Sequence, residues 1–337
     1  MELRDPISSL VIPSEWIHRS NTPFIELKKL VESGFYTITS SGTLLRRGLS
    51  TGTIAAAAAK AAVLSFKEPI QEVDILTPVG IRVPVIVKAA HGSAIAEKPP
   101  SDYHTDITEG LLFEAEAAER AGELILSTGE GIGIVQRRGL RVPIGEPAIN
   151  PEARNTIICA IQEAVRFVGL RGALVTLSSR NGEKIALKTL NPKIGIVGGI
   201  SVLGTTGFVE PWNECLICSI EDLIERAEKV VLTTGRTGFK FAHMYFPEYT
   251  PILVGSNIDR AVEKARGKNI IIMGLPALIL KWGNPTILSG TSANTVKELF
   301  DNNPFRKEVN ESLVAIKSRT GAKIVLINGE GEIVRAT

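Results

Sequence analysis

From about residue 192 onward, five short, evenly apolar runs recur: Ile194–Val197, Lys229–Leu232, Ile252–Val254, Asn269–Met273 and Lys323–Ile327. Helix-forming stretches lie between most of them: Ser219–Ala227, Ile258–Ala265, Ala293–Leu299 and Glu308–Ser318. Strands apolar on both faces need cover on both sides, which a parallel sheet between helical layers supplies. Residues 191–337 are therefore expected to form a Rossmann-like three-layer α/β domain. The preceding 41–190 reads as an α+β domain, with room for a segment to cross between the two. Residues 1–40 read as a mixed, polar extension holding one short helix near Glu26–Glu32.

Within 41–190 the strongest element is the run Ile54–Leu64, almost wholly alanine and small apolar residues, with Ser50, Thr51 or Thr53 as its cap. Strands are expected at Glu72–Leu76, Ile81–Lys88, Ser93–Glu97, Leu111–Ala118 and Leu124–Ser127, with an irregular polar loop over 98–110. Asn150 and Pro151 open a helix to Val168. Ala173–Ser178 is read as a strand that turns at Arg180-Asn181-Gly182 into Lys184–Lys188.

The 337 residues carry a formal net charge of +2, which gives no reason to expect nucleic acid or another long polyanion. Three cysteines are too few for a secreted disulfide framework. The start of the chain lacks a signal-peptide core, and no apolar run approaches the ~18 residues of a membrane span. The expected setting is cytoplasmic. Cys215 and Cys218 have no second pair with which to complete a zinc site, so two thiols on a helix is the better reading and no protein-bound metal is expected.

Three motifs carry chemistry. Arg46 and Arg47 precede a glycine-containing loop that ends at a helix N-terminus, where Ser50, Thr51 and Thr53 add hydroxyls; this suits a carboxylate or phosphate. Gly129-Glu130-Gly131-Ile132-Gly133 is followed by Arg137 and Arg138, again suited to carboxylates beside a planar ligand. The strand before Gly198-Gly199 is expected to run into a ligand loop at the end of the α/β sheet, with Ser201, Gly204, Thr205 and Thr206 in reach of a polar group. The spacing is not that of a dinucleotide fingerprint, and Thr233-Thr234-Gly235-Arg236 offers no ribose carboxylate, a role left to Glu210. His104, between Asp102 and Asp106, is a candidate base; Glu146 is either a ligand contact or a turn carboxylate.

These stretches together resemble the CbiD family. The match is carried by RRGLSTGTIAAAAAKAA (46–62), DILTPVG (74–80), GEGIG with RRGLRVPIGEPAINPEAR (129–154), and KTLNPKIGIVGGISVLGTTGFVEP (188–211). The resemblance implies a two-domain fold, α+β then Rossmann-like, that transfers a methyl group from S-adenosylmethionine to carbon 1 of cobalt-precorrin-5B, giving cobalt-precorrin-6A. Cobalt then belongs to the substrate. The partner is a small-molecule tetrapyrrole, with no nucleic acid and no membrane, and homo-oligomerisation is left open. Arg46, Arg47, Ser50, Thr51, Thr53, Arg137 and Arg138 become substrate contacts. Gly198, Gly199, Ser201, Gly204, Thr205, Thr206 and Glu210 become donor contacts. Any proton removal falls to Asp102, His104, Asp106 or Glu146, with no choice among them.

The last third departs from the family pattern. A glycine-, histidine- and lysine-containing motif is replaced by Gly274-Leu275-Pro276-Ala277-Leu278-Ile279-Leu280-Lys281-Trp282-Gly283, which has no histidine. The acidic loop is altered to Tyr103-His104-Thr105-Asp106-Ile107-Thr108-Glu109-Gly110. Two rival readings follow: a noncatalytic corrinoid-binding or assembly protein, and a nucleotide-dependent oxidoreductase using the Rossmann-like half.

Overall fold

A computed structural model describes the chain apart from residues 1, 104, 105, 139, 212–219 and 256; Cys215 and Cys218 fall outside the described residues. The chain divides into two compact units. One, the motif unit, comprises Ser33–Tyr36 and Arg46–Pro211; the other, the parallel-sheet unit, comprises Met1–Glu32, Thr37–Leu45 and Trp212–Thr337.

The motif unit is built on a six-stranded sheet in the order Ile70–Leu76, Arg82–Ala90, Ser93–Glu97, Leu112–Glu119, Ala173–Arg180, Leu124–Thr128. Every neighbouring pair is antiparallel except the last, which is parallel. Burial alternates along Arg82–Ala90 and Ala173–Arg180, so one face is apolar. The helix Thr51–Leu64 lies on that face, and twelve of its fourteen residues are buried. Only a helix of alanines can sit so close to a sheet while a second helix, Pro151–Val168, packs against it. That second helix begins where expected, with Asn150 Oδ1 accepting from Ala153 N at 2.9 Å, and ends on Gly169 at φ 83°.

Two expectations here are corrected. Asn181 takes the left-handed conformation at φ 61°, but the chain then enters a helical turn, Gly182–Ala186, and not a returning strand. The cause is distant in sequence: the Gly131 carbonyl lies 2.2 Å from where a Gly182 Cβ would stand, so this backbone is pinned against Gly131. The run 194–197 is also not a strand of the parallel sheet. Asn191–Ile194 is a helical turn closed by Gly195 at φ 82°, and Ile196–Val197 pairs antiparallel with Ile134–Val135.

The other four apolar runs do form a parallel sheet, in the order Thr250–Leu253, Lys229–Thr233, Asn269–Gly274, Lys323–Ile327, closed by the antiparallel edge strand Ile333–Ala336. The first strand in sequence lies between the second and third, so the chain reverses direction between Lys229–Thr233 and Asn269–Gly274. With right-handed crossovers this order sends one helix to one face and the rest to the other. Phe241, Ala242 and Met244 of helix Arg236–Tyr245 accordingly pack on Val231, Ile271, Met273, Val325 and Ile327. Ile258, Ile279, Leu299, Leu313 and Ile316 pack on Val230, Leu232, Ile272, Ile324 and Leu326.

One ten-residue helix cannot cover a five-stranded sheet. The shortfall is made up by Leu3, Leu10, Ile12, Trp16, Leu27, Val31 and Ile38. Apolar residues between Leu3 and Val31, with Ile38, thus form most of a covering layer, and the stretch Arg46–Pro211 groups with the motif unit. No helix among the described residues is long and apolar enough to cross a membrane.

Candidate functional site

The helix Thr51–Leu64 starts as its sequence dictates, with Ser50 Oγ accepting from Thr53 N at 3.2 Å. What lies against that start is the chain itself. Gly52 N donates to Leu203 O and Leu203 N to Thr51 Oγ1, each at 2.8 Å; Thr53 Oγ1 donates to Gly207 O at 2.8 Å. The expected anion cradle is therefore filled by residues 203–207. Ser50, Thr51 and Thr53, all buried, act as couplings between two segments of the motif unit.

Arg47 is also turned inward, 1% exposed. Its Nε donates to Glu210 Oε2 at 2.7 Å and one Nη donates to Tyr36 O at 3.0 Å and Gly34 O at 3.3 Å. Arg47 is thus engaged with protein acceptors, and Glu210 is its ion-pair partner. Arg46 is exposed. Its backbone N donates to Asp102 Oδ2 at 2.7 Å, and Asp102 N donates back to Arg46 O at 3.1 Å.

Asp106 is paired with the ammonium of Lys98, which is 1% exposed, and accepts from Thr108 N at 2.9 Å and Thr108 Oγ1 at 2.6 Å. Burial pushes its carboxyl up, but Lys98 and the Thr108 hydrogen bonds outweigh that and hold it below the usual carboxylate value. A carboxylate held in this way is weakened as a proton acceptor, and Asp106 anchors its loop to Lys98. His104 lies outside the described residues. Glu146 is exposed, on a loop whose backbone is tied to Val135.

The glycine-rich segments explain themselves by close approach. A Cβ on Gly199 would stand 2.3 Å from the Gly131 backbone, and one on Gly131 2.0 Å from Ser179 O. Ser201 Oγ donates to Asn191 Oδ1 at 2.6 Å, and Asn191 Nδ2 donates to Gly199 O at 3.0 Å. A Cβ on Gly204 would meet Ser50 Oγ at 2.6 Å, and Thr206 Oγ1 donates to Phe208 O at 3.2 Å. Of the expected donor contacts, Gly198 and Thr205 are exposed. The others knit the motif unit together, and none sits on the parallel sheet.

What this unit does present outward is a mixed surface. Arg137 and Arg138 are exposed, the Arg137 stem lying over Gly195, where a Cβ would stand 2.4 Å from its Cγ. From the same folded-back segments Ile144 (54%), Leu203 (53%), Ile194 and Val197 are left in solvent. Exposed cations and apolar side chains on these segments suit a flat ligand with carboxylate arms. The apolar members were not anticipated; for Val197, the register opposite Ile134 supplies a reason that no local signal gives.

The parallel sheet offers a second place, also unanticipated. The strand order reverses at the carboxyl ends of Lys229–Thr233 and Asn269–Gly274, the place where open α/β sheets commonly bind ligands. Helices Arg236–Tyr245 and Pro276–Gly283 start there with no side-chain cap. Around Gly235 a Cβ would meet nothing within 4 Å, whereas at Gly274 it would meet Thr234 Oγ1 at 2.3 Å, so the two loops touch. Thr233, Thr234, Gly235 and Gly274 carry no carboxylate, and Asp259, after the neighbouring strand, accepts from Trp282 Nε1 at 2.8 Å. The arrangement that usually binds a dinucleotide ribose is not assembled among these residues.

A family model described as CbiD matches residues 38–211. The chain is 50% identical over 332 residues to a cobalt-precorrin-5B C(1)-methyltransferase of Methanosarcina acetivorans, covering 98% of this chain and 97% of that protein. It is 45% identical over 335 residues to a protein of the same description from Methanococcoides burtonii, covering 99% and 98%. These matches run through the last third, where the family pattern had been expected to lapse. Among solved structures, a crystal structure of a cobalamin biosynthesis protein (CbiD) from Archaeoglobus fulgidus is 34% identical, with a TM-score of 0.58, covering 96% of this chain and 100% of that one. Sequence motifs, two-unit fold and full-length relatives agree, and the chain belongs to the CbiD family.

Proposed function

We propose that this protein methylates carbon 1 of cobalt-precorrin-5B, with S-adenosylmethionine as donor, to give cobalt-precorrin-6A, and that it works in the cytoplasm. The observation that carries this reading is half-identity, over nearly the whole chain, to a relative described as that methyltransferase. The donor's sulfonium supplies an activated methyl group. The protein's task is then to align two bound partners and exclude water, a task that needs no nucleophile–base cluster.

The substrate is a macrocycle with an apolar body and several carboxylate arms. Arg46, Arg137 and Arg138, exposed in the matched motifs, suit those arms, and Ile144, Val197 and Leu203 suit the ring. Arg47 is withdrawn from this set. For the donor, the fit favours the uncapped loops after Lys229–Thr233 and Asn269–Gly274. Both helices start without a side-chain cap and a Cβ at Gly235 would meet nothing within 4 Å, an open place suited to an amino-acid carboxylate. Asp102 and Glu146 remain the described carboxylates that a departing proton can reach.

The test is anaerobic incubation with cobalt-precorrin-5B and methyl-labelled S-adenosylmethionine. Label at carbon 1 is expected. Corrinoid binding without donor consumption would make the protein a noncatalytic binder, and tight NADH binding without S-adenosylmethionine binding would restore the oxidoreductase reading.

A further inference from the structure

The loop between strands Ser93–Glu97 and Leu112–Glu119 is closed at its neck by Lys98 N donating to Leu111 O and Gly110 N donating to Lys98 O, each at 3.0 Å. A neck of two hydrogen bonds does not by itself fix what lies beyond it. Yet the loop is pinned at two further points. Asp106 reaches back to the buried Lys98 ammonium, and Asp102 exchanges hydrogen bonds with both backbone groups of Arg46. Between them Asp106 N donates to Tyr103 O at 3.0 Å, and Ser101 stands 3.2 Å from the place of a Gly48 Cβ. A chain of contacts thus runs from Lys98 through Asp106 and Asp102 to the backbone at 46.

Burying a lysine is costly unless its charge is met, and a methionine would fill the same space at less risk. What a methionine lacks is a directed grip on one carboxylate. At residues 46 and 47 such direction matters, because successive extended residues point to opposite sides. Arg47 goes inward to Glu210, and Arg46 outward. Any slip of this backbone would exchange them.

We propose that Lys98 is a positioning residue: its ion pair with Asp106 clasps the 99–109 loop so that Asp102 holds the backbone of Arg46 and presents its guanidinium to a corrinoid carboxylate. This rests on the functional reading above. Two measurements on the full-length protein separate them: amide exchange of peptides spanning 98–112, and titration with cobalt-precorrin-5B. The proteins compared are wild type, Lys98→Met, Lys98→Arg, Arg46→Ala and the Lys98→Met/Arg46→Ala double variant.

Lys98→Met is expected to speed exchange over 99–110, to leave peptides of 70–90 unchanged, and to weaken corrinoid binding about tenfold. In the double variant binding is expected to be no weaker than in Arg46→Ala, and Lys98→Arg restores both readouts. Unchanged loop exchange in Lys98→Met overturns the clasp, as does a loss of binding that adds in full to that of Arg46→Ala. Failure of the wild type to bind the corrinoid overturns the functional reading instead, while the exchange arm still decides the clasp. Should Lys98→Met fold poorly, Lys98→Met/Asp106→Asn, which leaves no buried charge, carries the same comparison.

Discussion

The two units are held together by different means. Among the described residues the motif unit buries eleven polar or charged side chains, Arg47, Lys98, Asn191 and Ser201 among them, whereas the parallel-sheet unit buries six. The motif unit also crosses backbone on backbone at Gly131, Gly182 and Gly199, where no Cβ fits. The parallel-sheet unit relies on two apolar layers, one on each face of its sheet. Directed contacts define one geometry and fail abruptly; apolar layers tolerate small changes of shape. An arginine, a serine or a glycine in the motif unit is therefore no sign of ligand contact by itself.

The sharpest way to break this contrast is Gly131→Ala. At φ 76°, with Ser179 O 2.0 Å from the new Cβ, the substitution meets both strain and collision. A loss of more than about 4 kcal/mol is expected in denaturant unfolding; a loss below 1 kcal/mol on the same order-of-magnitude scale would show that the crossing yields. Arg47→Met comes next, at about 3–5 kcal/mol, because Glu210 is left facing a partner without charge. Adding Glu210→Gln should recover most of that, and no recovery would mean the guanidinium matters through its other acceptors, Gly34 O and Tyr36 O among them.

In the parallel-sheet unit, Ile272→Val removes one methylene from a fully buried strand and should cost only about 0.5–1.5 kcal/mol. The smallest effect concerns pH. The hydrogen bond from Arg82, opposed by burial and helped by Lys60, lowers Glu163 to about 2 from 4.5. Its contribution is present in full above pH 4.5 and fades as pH falls toward 2. Urea midpoints of wild type and Glu163→Gln should differ at pH 6 and converge near pH 2; a constant gap would deny the ion pair its role.

How much of this was legible in the sequence depended on how far away each cause lay. The helix Pro151–Val168 and the strand Ser93–Glu97 could be read to the residue, since caps and alternation are local. The turn at Asn181 was visible, but its sequel was not, because Gly131 dictates it from fifty residues away. The arginine pair at 46–47 was noticed, yet only the fold assigns opposite faces to its members. Strand order is invisible locally, so the reversal after Thr233 and Gly274 and the bare sheet face covered by Leu3, Trp16 and Val31 were both missed.

That covering layer has a consequence for synthesis. Leu10, Trp16 and Leu27 are synthesised well before the strands they cover, which lie between Lys229 and Ile327. At the usual pace of translation the interval is on the order of ten seconds or more. Throughout it the motif unit has its own sheet and helices with which to fold, while the leading apolar residues wait without their surface. Pairing across such a sequence distance sets a slow step, with the apolar residues between Leu3 and Ile38 uncovered until it is complete.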